Sequence, residues 1–219
     1  MEPFQESLIH IFNREGSSMY IQNRNIIIVC EGASEKAYIQ VLNRHLEEED
    51  IPLHFIPRPS NGGQYSPVVK KYREVRKDNR TAKILIWVDW DRYQRNDNDD
   101  MDNYRKKPNN IPDFLFSYMN FEDFLSMHRK RSEMQRWWTS CVSRNHFSSP
   151  SHSNEYMPAF KAFIGETYEK GDMPIDIDCH SLENLRTHQN DSSVPFKCDF
   201  AKELFRLMDA GECSQDHEI

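Results

Sequence analysis

The chain has 219 residues, with 28 lysines and arginines against 35 aspartates and glutamates, and its formal net charge is -7. Hydrophobic residues make up 37% and charged residues 29%, which allows one core and excludes the composition of a disordered chain. The longest apolar runs are far shorter than the roughly 20 residues that span a bilayer. The start of the chain lacks the basic and apolar regions of a secretory signal. We therefore expect a cytoplasmic protein with no membrane segment.

The five cysteines form no CxxC pair, which predicts reduced thiols rather than disulfides or a zinc knuckle.

The first half of the chain alternates between strand and helix patterns. Strands are predicted at Arg24–Cys30, 53–56, Lys83–Asp89 and 113–118. Helices are predicted to follow Ser34 and Ser66, which we expect to cap them, and a third begins at Phe121. This alternation predicts an α/β fold with a parallel sheet flanked by helices. The remainder of the chain has mainly helical spacing and predicts a helical C-terminal lobe.

Acidic residues stand at the ends of two predicted strands. Glu31 and Gly32 follow the first strand, while Asp89, Trp90 and Asp91 end the third. Ligands of open parallel sheets bind beyond the carboxyl ends of the strands. If the extended backbone continues through Trp90, the two aspartates point to the same side, as a Mg²⁺ site requires. A turn or cap role is the alternative for either motif alone. If Glu31 and Asp89 share one ion, their strands must be neighbours, which predicts the strand order 2-1-3-4.

These residues resemble the TOPRIM domain, and more closely the RloB-like family of bacterial TOPRIM proteins, which is associated with restriction and abortive infection. The resemblance covers most of the chain. It rests on Val29, Cys30, Glu31, Gly32, Ser34, Glu35 and Tyr38, on Val88, Asp89 and Asp91, and on Phe121, Glu122, Phe124, Leu125 and His128. The chain departs from the family pattern at Met119 and Asn120, where a proline and a cysteine are usual, and at Asp123, which stands with Phe124 where an aromatic residue is common.

The resemblance implies a Mg²⁺- or Mn²⁺-dependent nuclease of bacterial antiphage defence. Glu31, Asp89 and Asp91 are then the catalytic residues: Glu31 acts as general acid or base, and all three contribute to the metal site. Glu122 would bind a second ion or orient Asp89 through water. For Glu122, and equally for Glu35, an interaction with the helix dipole is the alternative. The implied partners are a DNA or RNA substrate and a partner protein of the defence system.

Basic residues are concentrated in two segments despite the negative net charge. Between Arg58 and Lys83, eight basic residues against two acidic ones give a local balance of +6. From His128 to Arg144, five basic residues against one acidic one give a local balance of +4. The candidate contacts to a phosphate backbone are Lys70, Lys71, Arg73 and Lys77 in the first segment, and Arg129 and Arg131 in the second. A solvated helix face is the alternative. We interpret His128 as a core histidine, because it falls on the buried side of its predicted helix.

We predict a TOPRIM-like metal-binding domain in residues 1–130 and a helical C-terminal extension packed on it in residues 131–219. The favoured function is Mg²⁺-dependent hydrolysis of nucleic-acid phosphodiesters. Two alternatives remain. One is a catalytically silent TOPRIM module that binds nucleic acid or protein, and the other is a hydrolase of nucleotide phosphates, which would need a closed base pocket instead of an open groove.

Overall fold

A computed structural model of the chain describes residues 8–12, 18–22, 24–62, 64–90, 109–118, 120–139, 153–164, 171 and 173–212. The strands within them are β1 (Leu8–Phe12), β2 (Ser18–Gln22), β3 (Arg24–Cys30), β4 (Leu53–Pro59), β5 (Lys83–Asp89), β6 (Phe114–Tyr118) and β7 (Lys197–Cys198). The helices are α1 (Ala33–Glu48), α2 (Tyr65–Asp78), α3 (Phe121–Ser126), α4 (Arg131–Trp137), α5 (Ser153–Ile164), α6 (Cys179–Asn190) and α7 (Asp199–Glu212). No helix in these ranges is long and apolar enough to cross a membrane.

Five strands form one sheet in the order β4-β3-β5-β6-β7. The first four are parallel, and β7 pairs antiparallel to β6. The predicted strands 1, 2, 3 and 4 correspond to β3, β4, β5 and β6. The predicted order 2-1-3-4 is confirmed, because β3 pairs with β4 on one side and with β5 on the other, and β5 pairs with β6. Neither β7 nor the separate antiparallel pair of β1 and β2 was predicted from the sequence.

Side chains of the central strands alternate between the two faces of the sheet. In β5, Leu85 and Trp87 belong to one hydrophobic cluster. Ile84, Ile86 and Val88 belong to the other. Residues of α1 and of the C-terminal helices complete the first cluster, and residues of α2 complete the second. The fold is therefore α/β, with helices on both faces of a mostly parallel sheet and a helical C-terminal part, as predicted.

The C-terminal helix α7 packs directly on the sheet. The ring of Phe200 stacks on Trp87 with the centroids 4.3 Å apart, and it meets Phe55 edge-on at 5.6 Å. Residues on both sides of the predicted boundary at residue 130 thus belong to one hydrophobic cluster. The boundary itself stays a prediction.

The predicted helix caps are wrong. Helix α1 begins at Ala33 behind Gly32, so Ser34 lies inside its first turn. The Glu35 carboxylate accepts a hydrogen bond from the Gly32 N–H at 3.1 Å, so the backbone group before the helix is satisfied without a serine cap. The Ser34 hydroxyl instead accepts a hydrogen bond from the Gly171 N–H at 3.2 Å. Helix α2 likewise begins one residue before Ser66.

Candidate metal centre

The connections that leave the carboxyl ends of β3 and β5 lead to opposite sides of the sheet. From β3 it passes through α1 to β4 on one side of the sheet, whereas from β5 it continues to β6 on the other side. In open α/β sheets, a crevice opens at such a switch point and ligands bind there. Glu31 directly follows β3 and Asp89 is the last residue of β5. Both predicted residues therefore stand at the switch point.

Three carboxylates meet at this edge of the sheet. One oxygen each of Glu31, Glu35 and Asp89 lies within 4.8 Å of the others, and we call these residues the edge carboxylates. Glu31 Oε1 accepts a hydrogen bond from the Asp89 N–H at 2.8 Å, which joins the ends of β3 and β5. Glu35 reaches the group from the first turn of α1. The structure thus brings together two of the predicted ligands and a third acidic residue.

The edge carboxylates are shielded from solvent to different degrees. Glu35 is only 5% exposed, Glu31 and Asp89 are half-buried, and Oδ1 of Asp89 is buried. Like charges this close repel one another, and the repulsion grows where water is excluded. A divalent cation among these oxygens would offset the repulsion. A donor set made only of carboxylate oxygens fits Mg²⁺ or Mn²⁺, which prefer hard oxygen ligands.

The loop after β4 fixes the backbone at Glu31. The Gly62 N–H donates to the carbonyl oxygen of Glu31 at 3.1 Å, and the Ser60 N–H donates to that of Cys30 at 2.8 Å. The Ser60 hydroxyl adds a hydrogen bond to the same Cys30 oxygen at 3.0 Å. Asn61 between them has φ +60, a left-handed conformation in which asparagine is enriched. The position from which the Glu31 side chain extends is therefore set by backbone hydrogen bonds.

Strand β6 holds the end of β5. The Trp90 N–H donates to the carbonyl oxygen of Ser117 at 2.9 Å, and Trp87 Nε1 donates to the Ser117 hydroxyl at 2.8 Å. The strand ends at Asp89, and Trp90 is in a turn. Asp91 lies outside the described residues. Its role as a metal ligand and catalytic residue therefore stays a prediction.

Glu122 is buried, with 3% of its surface exposed, in the first turn of α3. This helix follows β6, so it begins at the same edge of the sheet as the edge carboxylates. Glu122 is not a member of their 4.8 Å group, and its predicted role stays a prediction. Asn120, one of the departures from the family pattern, caps α3 by accepting a hydrogen bond from the Asp123 N–H at 2.9 Å.

His128 is a core histidine, as interpreted from the sequence. It is buried, and its Nε2 lies 3.0 Å from the Tyr38 hydroxyl. Its Nδ1 is buried and has no hydrogen-bond partner among the described residues. Nothing in this contact links His128 to the edge carboxylates.

The predicted basic residues of α2 lie mostly in solvent. Lys70, Arg73 and Lys77 are exposed, and their spacing places them on one face of the helix. Lys71 is half-buried, with its Nζ 3.9 Å from a Glu74 carboxylate oxygen. The helix starts just after the loop that holds Glu31, so the exposed basic face begins close to the edge carboxylates.

One basic residue of the second segment, Arg131, makes tertiary contacts. Arg131 forms an ion pair with Asp191 and donates a hydrogen bond to the Ser193 hydroxyl at 2.7 Å. These bonds join the start of α4 to the loop after α6. Arg129 is half-buried. Their predicted contact with nucleic acid stays a prediction.

The sequence left two interpretations open for Glu35, a role at the metal site and an interaction with the helix dipole. One sequence feature favours the metal site, because a helix that directly follows a parallel strand begins at the carboxyl edge of the sheet. A glutamate in its first turn therefore lies near residues that follow the neighbouring strands.

Comparisons with protein-family models, with curated proteins and with solved structures found no match to this chain. The chemistry of the edge carboxylates consequently follows from their own geometry and from the topology of the sheet. The resemblance to TOPRIM and RloB-like proteins stays a prediction from the sequence motifs.

Proposed function

We propose that this chain is a TOPRIM-type, RloB-like protein that hydrolyses nucleic-acid phosphodiesters with Mg²⁺ or Mn²⁺ bound at the edge carboxylates. The observation that supports this most strongly is the convergence of Glu31, Glu35 and Asp89 at the switch point between β3 and β5. A turn or cap role would explain each acidic residue alone. It does not explain why residues at the ends of two strands and in the first turn of a helix bring their oxygens together.

Each of the edge carboxylates would have its own role in the reaction. When bound, the ion would neutralise the charge that develops on the phosphate and orient the attacking and leaving oxygens. Asp89 and Glu35 would hold it. Glu31 completes the ligand set and moves the proton of the attacking water. Its hydrogen bond from the Asp89 N–H fixes its carboxylate relative to β5 before substrate binds.

The exposed basic face of α2 supports a polyanionic substrate. Lys70, Arg73 and Lys77 project from the helix that begins beside the edge carboxylates. A phosphate backbone lying along this face would be attracted to the basic residues and would reach the ion at its end. This distribution favours an extended strand over a free nucleotide.

The sequence resemblance extends the proposal to bacterial antiphage defence, with a partner protein of the same system. Binding of the partner would control access to the substrate. This part of the proposal rests on the family resemblance.

The proposal is tested by incubating the full chain with DNA and RNA in the presence of Mg²⁺ or Mn²⁺. Asp89→Asn and Glu31→Gln preserve side-chain size and remove charge, so we expect each to lower the cleavage rate at least about 100-fold. Asp176→Asn is the control, because Asp176 is exposed and outside the group. Circular dichroism should be the same for all four proteins.

Full cleavage activity in Asp89→Asn would refute the assignment. Tight nucleic-acid binding without turnover of any substrate would favour the silent binding module. Hydrolysis of free nucleotides, with intact nucleic acid left uncut, would favour the nucleotide hydrolase.

A further inference from the structure

A second group of metal-ligand side chains lies at the other end of α1. A ring nitrogen of His45, a carboxylate oxygen of Glu49 and the sulfur of Cys179 all come within 4.8 Å of one another. His45 and Glu49 are one helical turn apart at the end of α1, and Cys179 is the first residue of α6. Glu35 lies ten residues before His45, so the two groups are separated by about 15 Å along the helix. They are independent sites.

His45 is the most buried member of this group. It is only 6% exposed, whereas Glu49 and Cys179 are exposed. Its ring makes no hydrogen bond to any other described residue. The ring nitrogen that lies within 4.8 Å of the Glu49 carboxylate and the Cys179 thiol could therefore share a ligand with them.

The charge pattern at the end of α1 also favours a cation. Four successive acidic residues stand where the helix ends: Glu47 and Glu48 in its last turn, Glu49 as the C-cap and Asp50 just beyond it. The helix dipole places partial negative charge there, so carboxylates at this end are unfavourable for the helix. A bound cation would offset both the dipole and the carboxylates. Helix stabilisation alone therefore does not account for this run.

We propose that His45, Glu49 and Cys179 bind a Zn²⁺ ion. Imidazole, carboxylate and thiolate all bind zinc at about 2.0–2.3 Å, so ligand atoms in a tetrahedral site lie roughly 3.3–3.8 Å apart. Small side-chain rotations bring atoms that are already within 4.8 Å to these distances. Water takes the fourth position. Thiolate and imidazole disfavour Mg²⁺, which selects oxygen ligands.

The two groups therefore select different metals. The edge carboxylates offer only oxygen, whereas the zinc ligands include nitrogen and sulfur. The zinc ion would also join α1, which packs against the sheet, to α6 in the C-terminal part of the chain. Since the ligands come together only in the folded chain, zinc binding would stabilise the folded state.

The test uses the full chain after removal of bound metal with a chelator. Zn²⁺ is titrated in competition with a chromophoric chelator, and Co²⁺ is bound as a spectroscopic probe. We expect one Zn²⁺ bound tightly through Cys179, and a thiolate-to-cobalt charge-transfer band in the near ultraviolet. Zinc at about 100 times its Kd should raise Tm by roughly 5–10 °C.

Matched variants separate this site from the edge carboxylates. Cys179→Ser should abolish the charge-transfer band and weaken Zn²⁺ binding at least about 10-fold. Cys179 is exposed, so folding is preserved. Glu48→Gln, the neighbouring exposed residue outside the group, should leave both unchanged. Asp89→Asn should bind zinc normally. Weak Zn²⁺ binding by the unmodified chain, or an unchanged cobalt band in Cys179→Ser, would overturn the proposal.

Discussion

The imidazole of His128 lies in an aromatic interior. Its Nε2 is 3.0 Å from the Tyr38 hydroxyl, and the rings of Tyr38 and Phe124 meet it edge-on. Desolvation by burial lowers the pKa of His128 to about 4, and burial raises the pKa of the Tyr38 hydroxyl well above its usual value. Both groups are therefore neutral in the folded protein at neutral pH.

The low pKa of His128 predicts a loss of stability in acid. The unfolded chain takes up the proton near pH 6.5, whereas the folded chain takes it up only near pH 4. The unfolded state therefore binds more protons in this window, and stability falls as the pH falls through it. Between pH 7 and pH 4.5 the loss from this residue is roughly 2–3 kcal/mol.

Urea denaturation at the two pH values measures this loss. His128→Gln should lose less free energy of unfolding on acidification than the unmodified chain, by roughly 2–3 kcal/mol. The exposed His54 provides the control as His54→Gln, which should behave like the unmodified chain. An equal acid loss in His128→Gln would contradict the assignment.

For single residues, the sequence predicts a place in the site only where neighbouring residues in the chain determine that place. Glu31 and Asp89 could be predicted, because each follows or ends a strand. Glu35 could not be decided, because its contact depends on a side-chain conformation. The meeting of His45 with Cys179 could not be predicted at all, since it depends on how α6 packs beside α1.

Helix α2 has a buried apolar face and an exposed basic face. Val68, Val69, Tyr72 and Val75 are buried against the sheet. Lys70 lies in the second turn, near the edge carboxylates, whereas Lys77 is about 10 Å farther along the axis. The contribution of each basic residue to substrate binding should therefore fall with distance from the start of the helix.

This gradient is measurable as the salt dependence of nucleic-acid binding. Lys70→Ala should lower affinity and reduce the slope of log K against log salt by about 0.7–0.9, the value for one lost phosphate contact. Lys77→Ala should reduce it less. Lys202→Ala, at an exposed position on α7, is the control. An unchanged slope in Lys70→Ala would show that this face of α2 does not contact the substrate.

At the scale of elements, apolar runs and their spacing predict β3, β5 and most helices. The shared-ion argument also predicts the strand order. The caps could not be predicted, because Glu35 takes the place of a serine cap and Ser34 binds Gly171 instead. Strand β7 has only two residues, Lys197 and Cys198. It exists through its pairing with β6, which no local pattern encodes.

The whole molecule depends on contacts between its N-terminal sheet and its C-terminal helices. Phe200 of α7 stacks on Trp87, and Leu204 of the same helix is fully buried in the same cluster. Without α7, Trp87 and Phe55 would lose their ring contacts with Phe200. The face of the sheet that carries α1 is therefore incomplete in residues 1–130 alone.

Two measurements test this dependence. Phe200→Ala should lower the free energy of unfolding by about 3–5 kcal/mol, as expected for a buried phenylalanine, while Phe200→Leu should lose less because it leaves a smaller cavity. Residues 1–130 expressed alone should lack a cooperative unfolding transition. Cooperative unfolding of that fragment would show that the sheet does not need the C-terminal helices.

The proposed function requires that one divalent ion joins the ends of β3 and β5. Its most direct test is the crystal structure of the full chain with Mn²⁺, located by anomalous scattering. We expect an anomalous peak roughly 2 Å from carboxylate oxygens of both Glu31 and Asp89, and no such peak in Asp89→Asn. Saturating Mn²⁺ with no peak at these residues, or with Mn²⁺ bound only elsewhere, would contradict the claim.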